Sequence, residues 1–395
     1  MKRVAIAERP HWRALADECG FHFHTIDGAP YWDESAYYAF TLRQIEHDLE
    51  DPSAELHAMA MALMDEVVTS EVLMARLDIP EPFRDWVAES WRRRDPHLYG
   101  RLDLAYDGNG PAKLYELNYD TPTSLYEAAF FQWQWLEEQR QRGVLPPHAD
   151  QFNSLHDALL ERFAEIAHRL PPPLYFSAVR QSSEDQGTVA YLRDCAAQAG
   201  LHGDSIAIED IGLSTDGRFT DLDNGVIGSL FKLYPLEDLM REEFGSALPG
   251  SGMQLLELAW KAMLSNKGIL PLLWQKHRGH PNLLQARFDD GSALPAGWVR
   301  KPLHSREGAN IAMHLRDGRW QESQGPYAGP SIRQALHMLP AFGGRYPLVG
   351  SWIIGDSACG IGIREDDSRI TRDSARFLPH AIIDDAPTGR ARIYA

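Results

Sequence analysis

The stretch Arg101-Leu102-Asp103-Leu104-Ala105-Tyr106-Asp107, Gly108-Asn109-Gly110-Pro111, Ala112-Lys113-Leu114-Tyr115-Glu116-Leu117-Asn118 reads as a β-hairpin. Side chains two apart on a strand share a face, so Arg101 and Asp103 point one way and Leu102 and Leu104 the other; Glu116 and Asn118 obey the same rule. Pairing symmetric about Asn109-Gly110 sets Asp103 opposite Glu116 and Arg101 opposite Asn118. Pro111 cannot donate a turn-closing hydrogen bond, so a four-residue loop is expected rather than a two-residue one, and an even loop keeps that parity. A slip of one residue would undo it. Two carboxylates with an amide oxygen beside them are the hard ligands magnesium takes, and Arg101 stands next to them for an anion. The alternation also admits a solvent-facing ladder of ordinary cross-strand ion pairs.

Upstream, from Trp32 to Val68, apolar residues recur at helical spacing: Tyr37, Phe40, Ile45, Leu49, then Leu56, Met59, Leu63, Val67. The pattern predicts two helices parted near Asp51-Pro52-Ser53, with Asp51 or Ser53 as N-cap. Phe21-His22-Phe23-His24 reads as an alternating strand or a structural segment. Downstream, a helix is expected from about 125 to 141 with Phe130, Trp133 and Leu136 on its core face, ended before Pro146-Pro147. A helix over 152–170, a strand Leu174-Tyr175-Phe176-Ser177, a helix around 189–199 and a strand near 205–209 follow in the order of an α/β layer. Residues 250–370 mix helices with short strands, among them 298–301 and 348–354. No internal repeat or low-complexity tract interrupts the chain.

The composition narrows the class. With 395 residues and 44% hydrophobic content the chain can bury a large core. A formal net charge of −17 argues against a nucleic-acid partner, which calls for a basic face. The apolar run around 58–64 is far too short to span a bilayer, so no membrane partner is expected. The N-terminal residues lack the apolar stretch of a secretory signal, and Cys19, Cys195 and Cys359 stand too far apart to suggest a disulfide framework or a Cys-x-x-Cys metal site. A reducing cytoplasm fits.

Arg101-x-Asp103 followed by Glu116-x-Asn118 resembles the synthetase domain of the glutathionylspermidine synthetase family of acid–amine ligases. Asn266-Lys267-Gly268-Ile269-Leu270-Pro271-Leu272-Leu273-Trp274, Lys301-Pro302 and Ser305-Arg306-Glu307-Gly308-Ala309-Asn310-Ile311 are similar to further segments of it, in the same order. So are the opening helix expected over Trp32–Tyr38, the strand Phe231–Tyr234 and Leu336-His337-Met338-Leu339-Pro340. The resemblance implies an α/β ATP-grasp fold forming one unit over 1–395. Its approximate parts are 1–150 with the N-terminal helices and hairpin, a pre-ATP-grasp-like 151–250, and 251–395 with the ATP-binding lid and C-terminal lobe.

The implied reaction is ATP- and Mg2+-dependent amide formation through an acyl phosphate. The partners are a small carboxylate such as glutathione or another peptide and an amine such as a polyamine or amino acid. By position in the motifs, Asp103, Glu116 and Asn118 would hold magnesium, Arg101 would act catalytically on the phosphoryl group or tetrahedral intermediate, and Lys267, Lys301 and Arg364 would contact phosphates. The loop with Ser305, Gly308 and Asn310 would fold over ATP, and Gln334 lies in the adenine-contacting segment. Thr121 stands in the thiol-substrate region and Glu184 or Asp185 in the amine region. Around Arg372-Asp373-Ser374 no clear equivalent of a further acidic amine ligand stands, so spermidine is not implied as the amine, and the chain has no room for the amidase domain of bifunctional members. The competing readings are a non-catalytic ATP-binding regulatory or scaffold protein and a metal-dependent hydrolase using Asp103 and Glu116.

Overall fold

The computed structural model describes residues 1–26 and 28–384. Two five-stranded antiparallel sheets organise the molecule. The first contains, in spatial order, Arg376–Leu378, Ser357–Asp366, Tyr346–Ile354, Tyr99–Ala105 and Lys113–Asn118. The second contains Ala286–Phe288, Ser331–Ala335, Trp298–Pro302, Ala312–His314 and Trp320–Glu322. One cavity takes its walls from both sheets and from the loops 305–308 and 369–371.

A third sheet has the α/β character read from the sequence. Its four strands, Gln254–Leu256, Ser229–Leu233, Leu174–Ala178 and Gly203–Ala207, are all parallel. Helices Leu155–Ile166 and Ser183–Gln198 pack on one another, the second also against Leu174–Ala178. The Ser182 hydroxyl caps the second helix by accepting from the Asp185 N–H at 3.3 Å, so the helix begins well before the 189 expected from periodicity. A small sheet joins Lys2–Ala5 and His380–Ile382 to the two edges of Ala36–Phe40. Among the described residues no helix is long and apolar enough to cross a membrane.

Several local expectations are corrected. Trp32–Tyr38 is not an opening helix, since Ala36–Phe40 is a strand paired on both edges; its aromatic residues Tyr37, Tyr38 and Phe40 are buried. The helical segment that follows is not parted at Asp51-Pro52-Ser53 but runs unbroken from Leu42 to Val67. Its cap is Thr41, in a capping box with Gln44. The π-helical turn Glu46–Glu50 lies just ahead of Pro52, where a regular helix would bring the proline ring against the carbonyl four residues back. Ser53 instead donates to the Ser351 hydroxyl at 2.7 Å inside the core. Phe21-His22-Phe23-His24 alternates in burial without forming a strand: the rings of Phe21 and Phe23 meet at 4.7 Å in the core while His22 faces solvent. The helix near 125–141 contains a second π-helical turn, Glu127–Phe131, and its core face is Phe131, Trp135 and Leu136. Trp133 stands 49% exposed, because the extra residue in that turn rotates everything after it.

Candidate active site

The hairpin pairs Arg101 with Asn118 and Asp103 with Glu116, as the symmetric register requires. The loop is longer than four residues, since Ala105 pairs with Lys113 and Leu104 with Leu114. A bulge beside Asp103 absorbs the odd residue, Tyr115, and so preserves the parity of the polar face. All four polar side chains, and Tyr115 too, line the cavity.

Arg101 and Asp103 are buried together. The guanidinium donates from Nε to Asp103 Oδ1 at 2.8 Å and from Nη2 to Oδ2 at 3.3 Å, and Arg364 Nη2 donates to the same Oδ2 at 2.7 Å. Arg364 reaches in from the strand Ser357–Asp366, across the strand that carries Gly350. Gly350 is paired with Asp103, and a Cβ there would lie 2.8 Å from Arg101 Cδ; the missing side chain is the space the arginine stem occupies. The opposite wall brings two nearly buried lysines. Lys267, just before the helix Ile269–Lys276, pairs with Glu116 Oε2 at 3.1 Å and donates to the Ser305 carbonyl. Lys301 donates to Gln334 Oε1 at 2.8 Å and to the Tyr115 carbonyl at 3.3 Å, while Gln334 Nε2 donates to the Leu114 carbonyl at 3.1 Å. Lysine, glutamine and hairpin backbone thereby tie the two sheets together.

Burial alone would raise Glu116, but Lys267 and Lys301 overcome it and hold the carboxyl down at about 2. Burial pushes Lys301 down to about 8, partly offset by Glu116. The cavity lining holds six cationic side chains, Arg101, Lys267, Lys301, Arg306, Arg364 and Arg369, against three carboxylates, Asp103, Glu116 and Glu307. In a protein of net charge −17 this local excess of positive charge marks a seat for a polyanion. Beside it Val299, Met313, Leu336 and Met338 give an apolar slot.

The structure brings together Arg101, Asp103, Glu116, Asn118, Thr121, Lys267, Lys301, Ser305, Gly308, Gln334 and Arg364. Asn310 is not part of the lining; at φ 55° it shapes the loop, and its Oδ1 accepts from the Tyr327 N–H at 2.8 Å. Gly308 lines the cavity, but the crowding it answers comes from behind, where a Cβ would meet the Thr371 carbonyl at 2.4 Å. Glu184 and Asp185 also lie outside the lining. Glu184 sits behind Thr123, within hydrogen-bond reach of Thr123 and Tyr31, and burial raises it above the ordinary carboxyl range. Tyr31 donates to Glu127 Oε1 at 2.5 Å, and burial followed by the neighbouring Glu184 pushes Glu127 up to about 8. The sequence reading missed Glu127 and Tyr31, which carry no motif and meet only in three dimensions. It also passed over Arg306, although it quoted the segment; that side chain donates to Thr121 Oγ1 at 2.5 Å and to Glu237 at 2.8 Å, tying the loop to the far side of the cleft.

The donor chemistry fits a hard divalent cation. Among the described residues neither Glu116 Oε1 nor Asn118 Oδ1 accepts a hydrogen bond, whereas Asp103 already accepts from two arginines. Glu116 and Asn118 therefore offer the freest oxygens, with Asp103 sharing its remaining lone pair.

The family described as glutathionylspermidine synthase preATP-grasp matches residues 3–383. A Haemophilus influenzae protein named "Putative acid--amine ligase" is 38% identical over 97% of this chain and 100% of its own length. Trypanothione synthetase of Crithidia fasciculata is 27% identical over 80% of the chain, and the bifunctional glutathionylspermidine synthetase/amidase of Escherichia coli 24% identical over 89%. The chain spans only 52% and 60% of those two longer proteins. Among solved structures, a glutathione synthetase-like effector from Globodera pallida superposes with a TM-score of 0.54 over 88% of this chain and 89% of that one, at 12% identity.

Proposed function

The chain belongs to the glutathionylspermidine synthase preATP-grasp family and is a carboxylate–amine ligase; from that premise we propose that it forms its amide bond by way of an acyl phosphate made from ATP. The observation that carries this reading is the convergence of Arg101, Lys267, Lys301 and Arg364 on the Asp103–Glu116 pair between two sheets. Lys267 and Lys301 bind the phosphate chain as compact cations, and Gln334 with the apolar slot accepts the base. Arg101 and Arg364, fixed by Asp103, face the transferring phosphoryl group and then the oxyanion of the tetrahedral intermediate. Groups held rigid before charge develops stabilise it most. Magnesium, held by Glu116, Asn118 and Asp103, would supply neutralisation of phosphate charge.

The amine approaches from the acidic side of the cleft, where Glu307 is in the lining and Asp373 and Glu184 stand near it, and the three carboxylates attract an ammonium group. The name of the glutathionylspermidine synthetase relative favours glutathione as the acid and a polyamine as the amine, with another peptide and an amino acid as the alternatives.

The test is ADP release by purified protein with Mg–ATP, alone and with glutathione combined with a panel of polyamines and amino acids. Release that requires both an acid and an amine supports ligation and names the substrate class. ATP binding with no release under any pairing would turn the reading toward a non-catalytic nucleotide-binding protein.

A further inference from the structure

Phe130 and Trp133, read as core positions, face elsewhere because of the π-helical turn Glu127–Phe131; both line a second cavity of about 720 Å³. It shares no lining residue with the cleft described above. Its wall is a chain of rings. Tyr191 meets Tyr126 edge-on at 5.5 Å, Tyr126 stacks on Phe130 at 5.4 Å, and Phe130 tilts against Trp133 at 6.0 Å.

Charge at this cavity has one sign. Asp157 and Asp194 lie in its lining, which contains no lysine or arginine. Arginines and lysines elsewhere sit over aromatic faces, as Arg9 does over Phe131 and Arg13 over Trp12, yet among the described residues none covers Tyr126, Phe130, Trp133 or Tyr191. No internal cation therefore competes for these rings, of which Trp133 is the most exposed. An aromatic wall attracts cations through its quadrupole, and carboxylates add to that field. A concavity of this size with an apolar wall and few polar groups suits a small organic ligand. Neutral solutes gain nothing from the two carboxylates, and anions are repelled by them.

We propose that this second cavity binds an organic ammonium ion with an apolar body, of the arylalkylamine class. The cationic end lies between the aromatic faces and Asp157 or Asp194, and the hydrocarbon body packs against Phe130 and Trp133. The assignment is independent of the ligase reading, because none of these residues belongs to the cleft.

Isothermal titration of the full chain with phenethylammonium chloride, and with 2-phenylethanol as its neutral counterpart, tests it. The expected result is saturable binding of the ammonium, with the alcohol about ten-fold weaker. The double variant Asp157→Asn/Asp194→Asn changes exposed side chains only, so it keeps the fold; it should weaken ammonium binding by about three-fold or more at low salt. Phe130→Ala should weaken both probes. Equal affinity for the two probes would overturn the proposal, as would absence of binding in the millimolar range. Binding that survives the double variant but is lost in Glu184→Gln would place the ammonium in the main cleft and overturn it as well.

Discussion

Asp103 accepts hydrogen bonds from two arginines on different strands, and all of its surface is buried. Asp103→Asn would leave Arg101 buried without its ion-pair partner. Breaking a buried pair costs about 3–5 kcal/mol, so urea unfolding should show a loss of that order along with loss of ADP formation. Glu127 gives a pH prediction of definite sign. Its carboxyl, raised from 4.5 to about 8 by burial and by Glu184, keeps its proton in the folded state at pH values where the unfolded chain has released it. That contribution to stability is complete below about pH 4.5 and drains away as pH climbs toward 8. Wild type should therefore lose stability relative to Glu127→Gln between those limits, measured by urea unfolding at pH 5 and 8; a constant difference would contradict the raised value. The two residues also mark the limits of reading a site from sequence. Asp103 was legible because strand alternation fixes its neighbours locally, whereas Glu127 owes its state to Tyr31 and Glu184, which only the folded chain brings to it.

The hairpin shows how an element can be read correctly for an incomplete reason. The polar pairs were predicted from an even loop, yet the loop is longer and the bulge at Tyr115 restores the register. Parity was selected by burial of Leu102, Leu104, Leu114 and Leu117 on the opposite face, which outweighs turn geometry. The helices were less legible, since both π-helical turns break the 3.6-residue period on which the reading rested, and the strand Ala36–Phe40 is buried on both faces and so shows no alternation. Gly350 offers a prediction at this scale. In Gly350→Ala the added methyl meets the stem of Arg101 rather than backbone, so the sheet should survive with a loss of about 1–3 kcal/mol while the guanidinium is displaced. Turnover should fall by at least about ten-fold, with the KM for ATP changed far less, because a displacement of about 1 Å is costly only where geometry serves the transition state. Equal losses in both parameters would assign Arg101 to ground-state binding.

At the level of the whole molecule, the cleft is a seam between two sheets held by Lys301, Gln334 and Arg306. A nucleotide seated there bridges both sides, so Mg–ATP should raise the unfolding free energy by about 2.7 kcal/mol at a hundred-fold excess over Kd, seen as an upward shift of Tm. Lys301→Met should abolish the shift while leaving the ligand-free Tm within a few degrees. The α/β class was visible in the sequence because helix and strand alternate over 152–209, and the polar face at 101–118 because it alternates by two; the pairing of distant strands was not, since alternation names a strand but not its neighbour. That pairing has a consequence in time. Asp103 and its partner Arg364 are separated by 261 residues, so at roughly 5–20 residues per second a ribosome takes on the order of 15–50 seconds to deliver the second after the first. Throughout that interval the hairpin is an unfinished sheet edge carrying the ligase's future charge centre. An unfinished edge is open to pairing with other chains, so slowing synthesis between the two halves should increase aggregation of the nascent chain.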